Sequence, residues 1–170
     1  MVRKVSTIYI VRAVLIALTL VMLCCVLRNG LASGEASAAQ SHSVTETVQE
    51  VVGAIDPDSP IATATGAEFD LLHACVRNFA HFFEYFLLAL FACGSFLSFV
   101  CPGRWKFSFI PPCFVGLTIA VDEWLQSLTA GRAGQLSDVL VDSLGALLGL
   151  GLALLVYGAV QYILIRRKRV

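Results

Sequence analysis

Residues 136–169 read LSDVLVDSLGALLGLGLALLVYGAVQYILIRRKR, and this stretch decides what kind of protein the chain makes. From Leu136 to Ile165 the only charges are Asp138 and Asp142, and the run closes on Arg166, Arg167, Lys168 and Arg169. A helix that is apolar on every side and longer than the ~20 residues needed to cross hydrocarbon reads as a membrane span. Asp138, Asp142, Gly145 and Gly149 share one face of it, and Ser137 stands where it can cap the start. Carboxylates in such a setting cost ~2.5–3.5 kcal/mol each on insertion scales. Glycines at this spacing allow a neighbouring helix to pack closely. The face that carries both therefore points inward, against other helices.

The rest of the chain has the same character. Hydrophobic residues make up 58% of its 170 residues and charged residues 14%, far from the roughly one quarter charged of soluble domains. At ~20 residues per span, this length holds about four helices and one modest loop. It leaves no room for a separate soluble catalytic domain. The formal net charge is +0, but the charges are sorted so unevenly along the chain that their distribution says more than the total, and no nucleic-acid partner is expected. Three further apolar stretches cover residues 8–27, 79–100 and 111–128. The first has Arg12 in its opening turns, close enough to the end to snorkel. The third begins with Pro111-Pro112, which suit a helix's first turn, and carries Trp124 where an interface belt would lie. The expected fold is all-α, an integral membrane bundle of four transmembrane helices.

Basic residues set the expected orientation. With a cytoplasmic N-terminus, the inner segments hold Arg3, Lys4, Arg12, Arg104, Lys106 and the four terminal residues, nine of the twelve Lys and Arg. Arg28, Arg77 and Arg132 fall outside, an asymmetry that predicts N-in, C-in. A cleaved secretory signal is the rival reading of the first helix, but its apolar run exceeds the usual 7–15 residues. Cys24 as a lipoprotein cysteine is weaker still, because the bulky Leu23 precedes it.

The predicted organisation is a first transmembrane helix over residues 1–28, an external loop over 29–72, a three-helix core over 73–165 and a basic cytoplasmic tail over 166–170. The loop is rich in Ser, Ala, Thr and Gly, and Asp56-Pro57-Asp58-Ser59-Pro60 marks a turn or linker. Within it, Ser43-Val44-Thr45-Glu46 matches a capping box, followed by Val48, Val51 and Val52 at helical spacing. A short amphipathic helix on the outer membrane surface fits that pattern, and a partly ordered tether is the alternative. The cysteines Cys24, Cys25, Cys75, Cys93, Cys101 and Cys113 lack paired metal spacing and read as free, small hydrophobes.

Polar residues in the spans collect at one depth. Arg77, His81, Glu84 and Tyr85 form a stripe at the start of the second span. In the third, Asp122 and Gln126 stand four apart and Glu123 and Gln126 three apart. Gly131-Arg132 follows as a turn that could bring a guanidinium back toward the acids or toward a lipid phosphate. With Asp138 and Asp142, these residues should meet at the outer end of the bundle. The structural reading is an ion-pair network that locks the helices together. The functional reading is a site, since carboxylates beside a histidine can do acid/base work, hold a hard cation or relay protons. No tight ligand spacing marks a metal, and no cofactor is expected.

The ordered series Arg77-Asn78-Phe79-Ala80-His81-Phe82-Phe83-Glu84-Tyr85, Asp122-Glu123-Trp124-Leu125-Gln126, Gly131-Arg132, Asp138-Val139 and Gly145-Ala146-Leu147-Leu148-Gly149 resembles the signature of VanZ-like membrane proteins. The match covers about residues 70–155. Asn78 stands where that family often has Lys, and Asp142 where it often has Asn. The resemblance implies functional positions at His81, Glu84, Tyr85, Asp122, Glu123, Gln126, Arg132 and Asp138. It also implies a link to teicoplanin resistance, the phenotype associated with the founding member in Gram-positive bacteria.

Three function classes follow. A cell-surface protein in the plasma membrane would engage a lipid-linked cell-wall precursor, a headgroup or a glycopeptide through the cluster. An enzyme would use His81 with Glu84, Asp122 or Glu123 on such a substrate. A proton-coupled transporter would need a polar path through the inner halves of the helices, which are almost wholly apolar.

Overall fold

A computed structural model describes residues 2–100, 109–129, 131 and 136–169. They form five helices: α1 (Val2–Gly30), α2 (Gly34–Ile55), α3 (Ala67–Phe99), α4 (Ile110–Leu128) and α5 (Leu136–Arg169). Three are long and apolar enough to cross a membrane, over Thr7–Gly30, Ala67–Phe99 and Leu136–Arg166. The expected third span, α4, is a 19-residue helix opened by Pro111 and Pro112, but it is not among these three. Its polar last turns, Asp122, Glu123 and Gln126, dilute its apolar character.

The 33 residues of α3 extend roughly 50 Å at 1.5 Å per residue, well beyond a hydrocarbon core of about 30 Å. Its first turns, with Glu68, Asp70 and His73, precede the apolar section from which the sequence reading started. The helix therefore begins at Ala67 and not near residue 79.

α3 and α5 are the central pair and run parallel. A Cβ at Gly145 would overlap the Phe82 carbonyl oxygen, and one at Gly149 would overlap that of Phe86 while lying 3.1 Å from Ala89 Cβ. The two glycines let backbone meet backbone, and this contact fixes the register. With Gly145 opposite Phe82, Asp142 comes opposite His81 and, one turn earlier, Asp138 opposite Arg77.

α1 and α4 run the other way against this pair. Val26, Tyr85, Leu88, Ala89, Val115, Ile119 and Ala146 make one buried apolar cluster, and Cys93, Leu97 and Ala153 a second further along. Arg12 bonds to the end of α3. Its Nε and Nη2 donate to the Ser98 carbonyl at 3.1 and 2.7 Å, and its guanidinium lies 4.4 Å from the Phe99 ring centre. It thereby satisfies one of the carbonyls left without a partner at the end of α3.

The segment expected to be a loop with a short helix is mostly helix. α2 runs 22 residues from a cap at Ser33, whose hydroxyl accepts from the Ala36 amide at 3.2 Å. The capping-box match at Ser43 lies inside it. Its inward face is small and polar, with Ser37, Ser41 and a fully buried Thr45, whereas Val44 and Val51 are exposed. Gln49 Nε2 donates to the carbonyls of Ile61 and Ala64, both at 3.0 Å, which ties the connection to α3 back onto α2. Cys24, Cys25, Cys75, Cys93 and Cys113 are free, and Cys101 lies outside the described residues.

Candidate functional site

Every polar side chain of the site sits where two helices start and two finish. From α3, Arg77, His81, Glu84 and Tyr85 follow the three-and-four spacing that keeps them on one face. From α5 come Asp138 and Asp142, one turn apart. From α4 come Asp122 and Gln126, with Asp122 3% and Gln126 2% exposed.

Asp122 is the centre of a small network. Its Oδ2 accepts from the Tyr85 hydroxyl at 3.2 Å and from Gln126 Nε2 at 2.9 Å. Tyr85 has no exposed surface, so it contributes an apolar ring to the core and its hydroxyl to the site. His81 Nδ1 lies 3.5 Å from Asp142 Oδ1, and Arg77 Nη2 lies 3.7 Å from Asp138 Oδ1. Ser137, in the first turn of α5, donates its hydroxyl to Asp138 Oδ1 at 3.3 Å.

Among the described residues, several polar atoms in this cluster are buried and lack a hydrogen-bond partner: Arg77 Nε, His81 Nδ1, Asp122 Oδ1 and Asp142 Oδ1. Groups left so in a dry interior cost roughly 1–3 kcal/mol each, more when charged. His81, Asp122 and Asp142 can each offer one ligand atom, and these atoms lie within 4.8 Å of one another.

Glu123 and Arg132 complete the predicted set. Glu123 is half-buried, turned off the face that Asp122 and Gln126 share. Arg132 lies outside the described residues.

The structure also adds residues that the sequence reading did not single out. Asn29, in the last turn of α1, donates its amide to Glu84 Oε1 at 2.6 Å. Gly30 lies so near Asp122 that a Cβ there would overlap Oδ1. α2 supplies one wall of a cleft of about 90 Å³ whose lining includes Asn29, Ser37, Gln40, Arg77, His81 and Glu84. Beyond it, Ser41 Oγ and His73 Nε2 are 2.6 Å apart, and His42, Phe69 and His73 form a ring cluster. A lone Asn closing an apolar run and the series Ser33, Ser37, Ser41, Thr45 at four-residue spacing are the signals that point to these contacts.

Fold and site together define an all-α membrane protein of long apolar helices, with a buried cluster of acids, one histidine and one arginine at one end of the bundle. The VanZ/LLP1 family model matches residues 14–157, so the described cluster and all three candidate spans, apart from terminal turns, lie inside the match. The chain belongs to the VanZ/LLP1 family. No curated protein and no solved structure matches it.

Proposed function

We propose that this chain is a multi-pass protein of the cell membrane, with both termini cytoplasmic and α4 as a fourth, short span. In that arrangement the cluster of Arg77, His81, Glu84, Tyr85, Asp122, Glu123, Gln126, Arg132, Asp138 and Asp142 faces the outer leaflet. There it binds a cell-envelope component, a lipid-linked wall precursor or a glycopeptide, and lowers teicoplanin susceptibility. The observation that carries this reading is the cleft between α1, α2 and α3. It brings Arg77, His81 and Glu84 to a solvent-accessible surface at the same end as the buried acids. Arg77 is 39% exposed at its side chain, which keeps part of its guanidinium within reach of a phosphate or carboxylate.

Membership in the VanZ/LLP1 family supports the same direction. In the opposite half of the bundle the cleft is lined mostly by apolar residues such as Val11, Leu90 and Leu97, with Arg12, Ser98 and Gln161 as polar members, which gives a transport path little support. Expression in a glycopeptide-sensitive host tests the proposal. The wild type should raise the inhibitory concentration of teicoplanin several-fold, and Glu84→Gln should abolish the effect at equal membrane abundance. No change with the wild type would sink it.

One observation favours an enzyme as the second reading. His81 faces Asp142 at ion-pair distance with Asp122 nearby, the arrangement of an oriented general acid/base. Purified protein incubated with lipid-linked precursors would then yield a product of altered mass.

A further inference from the structure

We propose that His81, Asp122 and Asp142 form a binding site for one divalent transition-metal cation of the zinc or manganese type. The three come from different helices, at positions 81, 122 and 142, so no local ligand spacing announces them. Register places them together, through the Gly145 and Gly149 contact that sets Asp142 opposite His81.

The donor set is the first argument. One imidazole nitrogen and two carboxylate oxygens, each able to offer an atom within 4.8 Å of the others, suit zinc or manganese better than the all-oxygen shells of magnesium and calcium. A tetrahedral shell with ~2.1 Å bonds has edges of roughly 3.4 Å. Binding therefore draws the three side chains together by about an ångström, a change within rotamer reach.

The second argument is that the groups are buried and waiting. Asp122 is 3% and Asp142 2% exposed; among the described residues Asp122 Oδ1 has no hydrogen-bond partner, and His81 Nδ1 and Asp142 Oδ1 face each other at 3.5 Å without a hydrogen bond. Asp122 is held on one side only. Tyr85 and Gln126 both donate to Oδ2, while Oδ1 has no hydrogen-bond donor among the described residues and packs closely against the bare Cα of Gly30. A carboxylate with one oxygen fixed by two donors and the other free is how outer partners orient a metal ligand. Ionising both buried carboxylates places like charges close together, and a divalent ion would neutralise them. Three protein ligands leave further positions open, and His81 lines the cleft through which an added ligand would arrive.

This inference uses the same cluster as the envelope-binding reading but needs no envelope ligand. The test is metal content and metal response of the full chain purified in detergent. Elemental analysis and titration with Zn²⁺, Mn²⁺, Mg²⁺ and Ca²⁺ should give about one equivalent of zinc or manganese per chain. Affinity should fall at least tenfold in Asp142→Asn and in His81→Gln and stay unchanged in the remote control Glu46→Gln. A chelator should lower the thermal midpoint of the wild type. Folded wild type that neither carries these cations nor responds to them, or that prefers magnesium or calcium, would overturn the proposal. So would undiminished zinc affinity in both folded variants. If teicoplanin protection is present in protein shown to be metal-free and metal-insensitive, the cation site fails and the envelope reading stands.

Discussion

Along the α3–α5 pair, the half around Leu88, Ala89, Cys93 and Leu97 meets Ala146 and Ala153 and closes on apolar atoms. The half around Arg77, His81 and Tyr85 meets Asp138 and Asp142 and closes on charge, with buried atoms left unpartnered. One helix pair in one register makes both. Close glycine packing and buried alkyl groups supply cohesion in the first half. The second half can then keep groups that cost stability, which is the pattern expected where local packing is sacrificed to a task.

The largest way to break this comparison is at the contact both halves share. Gly149→Leu would drive a side chain into the Phe86 carbonyl and Ala89, and should cost about 3 kcal/mol or more. Heat or denaturant unfolding in detergent, followed by circular dichroism, would show it. A variant as stable as the wild type would mean that the helices are not in the register described.

A smaller effect should stay confined to the polar half. Ser33→Ala removes the side-chain cap of α2 and should cost about 1 kcal/mol locally. Hydrogen exchange should quicken at the first amides of α2 while the midpoint of the whole bundle holds. The smallest change in stability is expected at the charge itself. In chelated protein, Asp142→Asn should leave the unfolding midpoint equal to or above that of the wild type, because a buried carboxylate is replaced by a neutral group of the same size facing His81. A fall beyond about 1 kcal/mol would show that the charged end is structural, and would erase the contrast between the halves.

Much of the architecture can be read from residue patterns. Residues 136–165 announce α5 by apolar length alone, and the inward face of Asp138, Asp142, Gly145 and Gly149 is where the structure puts it. Arg77, His81, Glu84 and Tyr85 share a face because helical spacing requires it. The reading failed where packing does not depend on apolar side chains. α2 begins ten residues before the capping-box match because its inward face uses Ser37, Ser41 and Thr45, which no hydrophobic period reveals. The bond from Arg12 to a carbonyl at the end of α3 was not legible either, because it joins residues far apart in the chain. Ion-pair partners and the three-residue ligand set were not legible, since they depend on the register between helices far apart in the chain.

α1 is more than a tether, and its last two residues show why. Asn29 gives its amide to Glu84, and the bare Cα of Gly30 makes way for Asp122. Exchanging this helix for an unrelated anchor would preserve delivery to the bilayer yet strip one acid of its donor and crowd another. Chimeras of this protein should therefore be joined upstream of Asn29, so that the graft inherits the pair of residues on which the neighbouring helices depend.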